Sequence, residues 1–290
     1  MNEEFAIEPT AFRSFDDVRY VLGKFGFHEG RFISALPSKW VKEVFAQIEK
    51  LPDGPAKSKA KAIIIKTKDN GGIVSCGVDF DPTKSWLINA TTCGKKFEGI
   101  LVSSDAISDT QRAGCKSIDV IDDSFFGSCR DVRLSATVEE FGRIATRLLN
   151  FSHEVFLVDP YFNFSKDSNR DVLKEFVRIG AKGKCEKFVI YTDAKVNKPD
   201  GVEKLLRKHF QGCGASIRVF HVNQGGAELK FHPRYLLSKS GGIRFDNGFN
   251  SANEQRDVVA IDIDRHKNLC DLYLDGKHGF QIEAEHFFQG

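Results

Sequence analysis

EVFLVDPYF (154–162), NRDVLKEFVRI (169–179), KFVIYTD (187–193), GVEKLLRKHF (201–210) and SIRVFHV (216–222) follow one another with short breaks between them. The first, third and fifth are short and rich in Val, Ile and Phe. The first carries apolar residues on both faces, as a strand buried in the middle of a sheet does. The second and fourth space their apolar residues three and four apart, as an amphipathic helix does. Strands alternating with helices of 10–15 residues predict an α/β fold, a parallel or mixed sheet with helices on its faces.

Outward from this block the pattern continues. A helix is predicted over 137–151. Downstream come a strand at 229–238, the Gly241-Gly242 turn, a strand at 243–245, and strands near 257–262 and 270–274. Upstream, Ser14 caps a helix over 14–25 with Asp16 and Asp17 in its first turn. A second helix covers 38–51, capped by Ser38. The stretch LPDGPAKSKAK (51–61) reads as a loop. Strands are expected at 62–66, 73–78 and 98–103, with a short helix near 105–113. The steady alternation starts near Asp131. The expected organisation is therefore an N-terminal α+β accessory domain, 1–130, followed by an α/β domain, 131–290.

Composition narrows the function classes. The chain has 290 residues and is 41% hydrophobic and 28% charged. Its longest apolar runs fall far short of the roughly 18 residues that span a bilayer. With 42 basic and 40 acidic residues the net charge is +2, so no global field draws in nucleic acid or an anionic membrane. Anion binding has to be local. Lys57, Lys59, Lys61, Lys66 and Lys68 form one run, and Lys182, Lys184 and Lys187 a shorter one; a solvated surface is the plainer reading of each. The seven cysteines form no C-x-x-C pair, zinc-ligand spacing or disulfide framework. No metal or cofactor motif is present, and nothing matches a phosphate-binding glycine loop. Met1-Asn2-Glu3-Glu4 is acidic and lacks an apolar signal core. The expected compartment is a reducing cytoplasm. Phe is in excess, 26 against 5 Tyr and 2 Trp, and reads as core packing.

The chemistry concentrates in LKFHPRYLLSKSGGIRFDNGFNSANE (229–254). Read as a strand, it puts His232 and Arg234 on one face with Lys230 beside them. An imidazole beside a guanidinium suits a phosphate: the fork holds two oxygens, and the histidine attacks or transfers a proton. The chain then returns through a loop of small polar residues, Gly248, Asn250, Ser251 and Asn253, able to aim N–H groups at an anion. Asp159, before Pro160, reads first as a turn starter and second as a site residue at a strand's C-terminal end. Tyr161 and Phe162 read as core, with base stacking as the alternative. His286 reads as packing.

These residues resemble the phospholipase D superfamily, whose signature is H-x-K, four residues, D, then a G-S-x-N-like loop. Here the matches are His232, Arg234 in place of Lys, and the loop containing Gly248, Asn250, Ser251 and Asn253. Lys239 stands where the family has Asp. The order of strands and helices over 131–290 is similar to one family unit. The resemblance implies a phospholipase D-like mixed sheet flanked by helices and a metal-independent phosphodiesterase. His232, Arg234, Asn250, Ser251 and Asn253 would be catalytic, with Lys230, Arg234 and Gly248 on the phosphate. The family mechanism uses two histidines, and this chain has one H-x-[KR]. Either His232 of two chains meets across a homodimer axis, or the site is not a full phospholipase D site. The first option implies a nuclease acting on nucleic acid, DNA foremost, in bacterial defence. The H-x-R variant with its Gly-Gly hairpin also looks similar to the phospholipase D-like C-terminal domain of some MIT-domain proteins. That similarity implies a non-catalytic module that binds nucleic-acid or lipid phosphate, or a partner protein in a larger complex.

Overall fold

The computed structural model describes residues 1–103, 114–127, 130–225, 227, 231–252 and 254–290. The helix expected near 105–113, Lys230 and Asn253 lie outside the described residues. The chain divides into two compact units, Met1–Cys129 and Arg130–Gly290.

In the first unit, in chain order, the elements are β1 (Glu3–Ile7), α1 (Phe15–Leu22), β2 (Arg31–Ala35), α2 (Trp40–Ile48), α3 (Pro55–Asp69), β3 (Ile73–Ser75), α4 (Trp86–Thr92), β4 (Gly99–Val102), β5 (Cys115–Ser117) and α5 (Asp123–Phe126). The strands pair in the order β3-β2-β1-β4-β5, each parallel to its neighbour. Successive side chains of a strand point to opposite faces. Phe5 and Ile7 accordingly join a core with residues of α1, α2 and α3, while Ala6, between them, joins Leu87 and Ala90 of α4 on the other face.

Two expectations are overturned here. Residues 62–66 are not a strand, and 55–61 is not a loop: both belong to α3. Pro55 supplies the preset backbone of a first helical turn. The triple isoleucine then follows helical geometry, with Ala60 and Ile64 buried four residues apart and Ile65 exposed. The lysine run is not free of acids in space. Lys57 pairs with Glu49 and Asp53, and Lys61 with Glu49. The strand expected at 73–78 is shorter, three residues. Ser38 does not cap α2, whose N-cap position is Lys39, without a side-chain bond.

The excess of phenylalanine has a place in this core. Phe5 lies within 5.4–6.0 Å of the rings of Phe25, Phe125 and Phe126, two of the three pairs edge to face. Such pairs add about 0.5–1.5 kcal/mol each beyond the area they bury.

The second unit contains β6 (Asp131–Ser135), α6 (Val138–Phe151), β7 (Glu154–Val158), α7 (Asp167–Lys182), β8 (Lys187–Asp193), α8 (Val202–Phe210), β9 (Ser216–Asn223), β10 (Tyr235–Leu237), β11 (Gly242–Phe245), β12 (Gln255–Ala260), α9 (Ile263–Leu269) and β13 (Gln281–Gln289). Its sheet has eight strands in the order β13-β9-β8-β7-β10-β11-β12-β6. β7, β8 and β9 are parallel, joined by crossover helices α7 and α8. The remaining pairings are antiparallel. The fold is thus α/β, a mixed sheet flanked by helices. Residues 270–274 are a π-helical turn after α9 rather than the expected strand, and the last strand is β13. Of the strand expected over 229–238, the described residues 231–238 are strand at Tyr235–Leu237. Pro233 has no N–H to give a ladder, and pairing with β7 starts at Tyr235↔Val158.

Phe5→Ala is expected to cost about 3–5 kcal/mol. Denaturant unfolding of the purified chain, followed in the first unit by the fluorescence of Trp40 or Trp86, checks it.

Candidate phosphate-binding site

The sheet changes direction between β7 and β10. At that seam the C-terminal end of β7 meets the start of an antiparallel strand, and Asp159 is the next residue after β7. Open α/β sheets place ligands at the carboxyl ends of their strands.

Asp159 is 1% exposed. Its Oδ1 accepts the N–H of Tyr161 at 2.9 Å, closing the turn that Asp-Pro predicts. Its Oδ2 accepts the N–H of Phe249 at 3.0 Å, ninety residues on. The turn residue is therefore also the anchor of the polar loop. Burial pushes the Asp159 carboxyl above the usual carboxylate range, against the two N–H donors and the guanidinium groups of Arg234 and Arg256, which favour its charged form.

The loop fits closely over this carboxylate. Gly248 has φ of +83°, and an added Cβ there would sit 2.5 Å from Asp159 Oδ2 and 3.2 Å from Arg234 Cδ. Only glycine meets both the backbone conformation and the close approach. Phe249 is fully buried against Phe245 and Phe176. The Phe249 carbonyl accepts from the Asn169 amide at 2.9 Å, and the Ser251 N–H donates to the Ser168 carbonyl at 3.2 Å. The N-terminal turn of α7 thus holds the loop from one side. The Ala252 N–H, donating to the Ala136 carbonyl at 2.8 Å, ties it to the start of α6.

Arg256 completes the framework, although no motif in the sequence marks it. This buried side chain donates through Nη1 to the Gly248 carbonyl at 2.8 Å and through Nε to Glu254 at 2.9 Å. The Asn250 amide accepts from its Nη2 at 3.3 Å and donates to the Asn247 carbonyl at 3.1 Å. Arg256 sits in an ordinary-looking strand, QRDVVA. The one available signal was an arginine at a position where alternation calls for a buried residue.

Arg234 lies across the same seam. Its Nη1 donates to the Asp246 carbonyl, its Nε is 3.8 Å from Asp159 Oδ1, and its guanidinium stands over the Tyr161 ring, 4.9 Å from the centroid. Among the described residues its Nη2 donates to nothing. His232 is exposed and packs edge to face on the same tyrosine, 6.1 Å between ring centroids. His232 and Arg234 come together through Tyr161, in an irregular segment, and not by alternation along a strand. Tyr161 is 44% exposed, which corrects its reading as core, while Phe162 is fully buried as read. His286 packs against the ring of His221.

The residues singled out from the sequence divide accordingly. His232 and Arg234 flank Tyr161, Gly248 covers Asp159, and Asn250 serves Arg256. Ser251 lines a separate cavity of about 360 Å³ with residues 136–139 of the α6 N-terminus. Lys239 stands after β10, beyond the opposite end of that strand from Arg234. Among the described residues, no group of three or more His, Cys, Asp or Glu side chains gathers to hold a metal ion. Nor is any helix among them long and apolar enough to cross a membrane.

No protein-family model matches the sequence, and no curated protein matches it. Among solved structures the chain is similar to the crystal structure of a phospholipase D family member, Nuc, from Salmonella typhimurium. The two are 10% identical with a TM-score of 0.35, covering 55% of this chain and 99% of that one. Likeness at that level bears on neither substrate nor chemistry.

Arg256→Met leaves the Gly248 carbonyl without its donor and Asp159 with one cation fewer. It is expected to cost about 1–3 kcal/mol, read by chemical denaturation. The Asp159 carboxyl, with its pKa above the ordinary 3.8 in the folded chain, contributes stability that grows as pH falls through that raised pKa toward 3.8. Asp159→Asn is expected to remove this component, so the wild-type stability measured against the variant should rise toward acid pH.

Proposed function

We propose that the chain is a phospholipase D-like phosphodiesterase that cleaves nucleic acid, DNA foremost, without a metal ion and as a homodimer. The observation that carries this reading is the Tyr161 platform. It brings an exposed imidazole, His232, beside a guanidinium, Arg234, whose Nη2 donates to nothing among the described residues. Arg234 is held from behind by Asp159 and the Asp246 carbonyl, so it offers a positioned donor rather than a mobile one.

In the proposed reaction a nitrogen of His232 attacks phosphorus and the P–O bond to the leaving group breaks. His232 of a second copy gives its proton to the leaving oxygen. A water molecule then attacks the phosphohistidine, passing its proton to that second histidine as the P–N bond breaks. Arg234 carries the non-bridging oxygens throughout. Tyr161, exposed beside the pair, is placed to stack on a base. A bacterial defence role and a cytoplasmic setting belong to the same reading. Lys230 and Asn253 would complete the anion site, and Asn250 and Ser251 would support the loop.

Nuclease activity on DNA and RNA in EDTA, with sedimentation analysis at micromolar concentration, tests this. His232→Ala is expected to lower the rate by about 10²–10⁴-fold with the fold intact. A strictly monomeric chain, or turnover that survives His232→Ala, overturns it. No turnover, together with anion binding weakened by Arg234→Ala, assigns the site instead to a non-catalytic phosphate-binding module.

A further inference from the structure

The other end of the central strands, away from Asp159, carries a cluster of lysines. β7 runs from Glu154 to Val158, so His153 stands before it and Asp159 after it, roughly 20 Å apart at about 3.3 Å per residue. At the His153 end a cavity of about 480 Å³ opens, within the range of small-molecule sites. Three chain junctions line it: residues 151–154 between α6 and β7, Lys184 and Lys187 between α7 and β8, and Lys239-Ser240 in the turn after β10.

The His153 carbonyl accepts the N–H groups of both Glu186 and Lys187, at 3.1 and 3.2 Å, fixing the two junctions to each other. Gly183 approaches α6 so closely that an added Cβ would lie 2.6 Å from Asn150 Cα. That approach brings the Lys184 ammonium to 5.9 Å from the centroid of the Phe151 ring. Lys184, Lys187 and Lys239 are exposed and form no ion pair among the described residues, and Glu154 is the one carboxylate in the lining. Ser152 lines the cavity as well, and its hydroxyl is buried with no hydrogen-bond partner among the described residues. A buried hydroxyl without a partner costs free energy unless something supplies the bond.

The cavity thus combines three ammonium groups against one carboxylate, a hydroxyl without a partner among the described residues, and the rings of Phe151 and Phe156. We infer that it binds a small phosphorylated ligand of the nucleotide class, the phosphates on Lys184, Lys187 and Lys239 and the flat apolar part against Phe151. Lys239 then has a role at this end of the central strands, and the Lys182–Lys187 cluster is only in part a solvated surface.

Titration calorimetry of the full chain with adenosine triphosphate, inorganic pyrophosphate and adenosine tests this. The triphosphate is expected to bind at low ionic strength, and salt should weaken it. Pyrophosphate should bind more weakly and adenosine weakest. Lys187→Gln/Lys239→Gln should weaken triphosphate binding by about tenfold, and Ser152→Ala by a smaller factor, with unchanged unfolding midpoints for the lysine variant. Arg234→Ala, at the other end of these strands, should leave this binding as it is. The inference is overturned if millimolar triphosphate does not bind, if the lysine variant binds as the wild type does, if pyrophosphate matches the triphosphate, or if Arg234→Ala abolishes binding. None of these outcomes depends on whether His232 is catalytic.

Discussion

A buried carboxylate organises the second unit. Asp159 accepts one N–H from its own turn and one from a loop ninety residues away, and so decides where that loop lies relative to β7. Removing such a charge from water is costly, and it persists here because two N–H groups and two guanidinium groups surround it. Everything proposed for the site depends on this contact. Arg234 is steadied by it, Gly248 is glycine because of it, and Tyr161 is turned outward by the bend it closes.

The parallel core of this unit was legible because its pattern is redundant. Strands β7, β8 and β9 are apolar on both faces, and α6, α7 and α8 carry an apolar stripe, so several residues support each reading. The failures fell where only local pattern was available. Ala62–Lys66 reads as a strand by composition, yet a proline seven residues earlier had already set a helix. The H-x-R segment alternates like a strand, but Pro233 withholds the N–H that pairing requires. β13 carries no apolar strand pattern because an edge strand tolerates polar residues at most of its positions, as QIEAEHFFQ shows.

The site was legible only in part for a related reason. His232, Arg234 and the Gly248 loop stand close in sequence and announce a chemistry by type. Their arrangement depends on Asp159 and Arg256, whose importance comes from what they touch across the fold. Asp before Pro is a common turn, and its second oxygen is invisible in a string of letters. Arg256 sits outside any motif. Long-range hydrogen bonds of this kind carry no local signature, and the Tyr161 platform that joins His232 to Arg234 is likewise a product of topology.

The strand order also sets when the unit can be completed. β6 opens the second unit, yet its partner is β12, with Ser135 opposite Gln255. The polar loop is tied at one end to Ala136 and at the other to the β12 arginine. Closing so large a span is slow, because its entropy is lost before any contact compensates for it. On a ribosome, β7, α7, β8, α8 and β9 can pack as they emerge, while β6 waits for the last quarter of the chain. Until then its open edge and the apolar seat of Phe249 are exposed to solvent, which is the interval in which the growing chain is most open to aggregation.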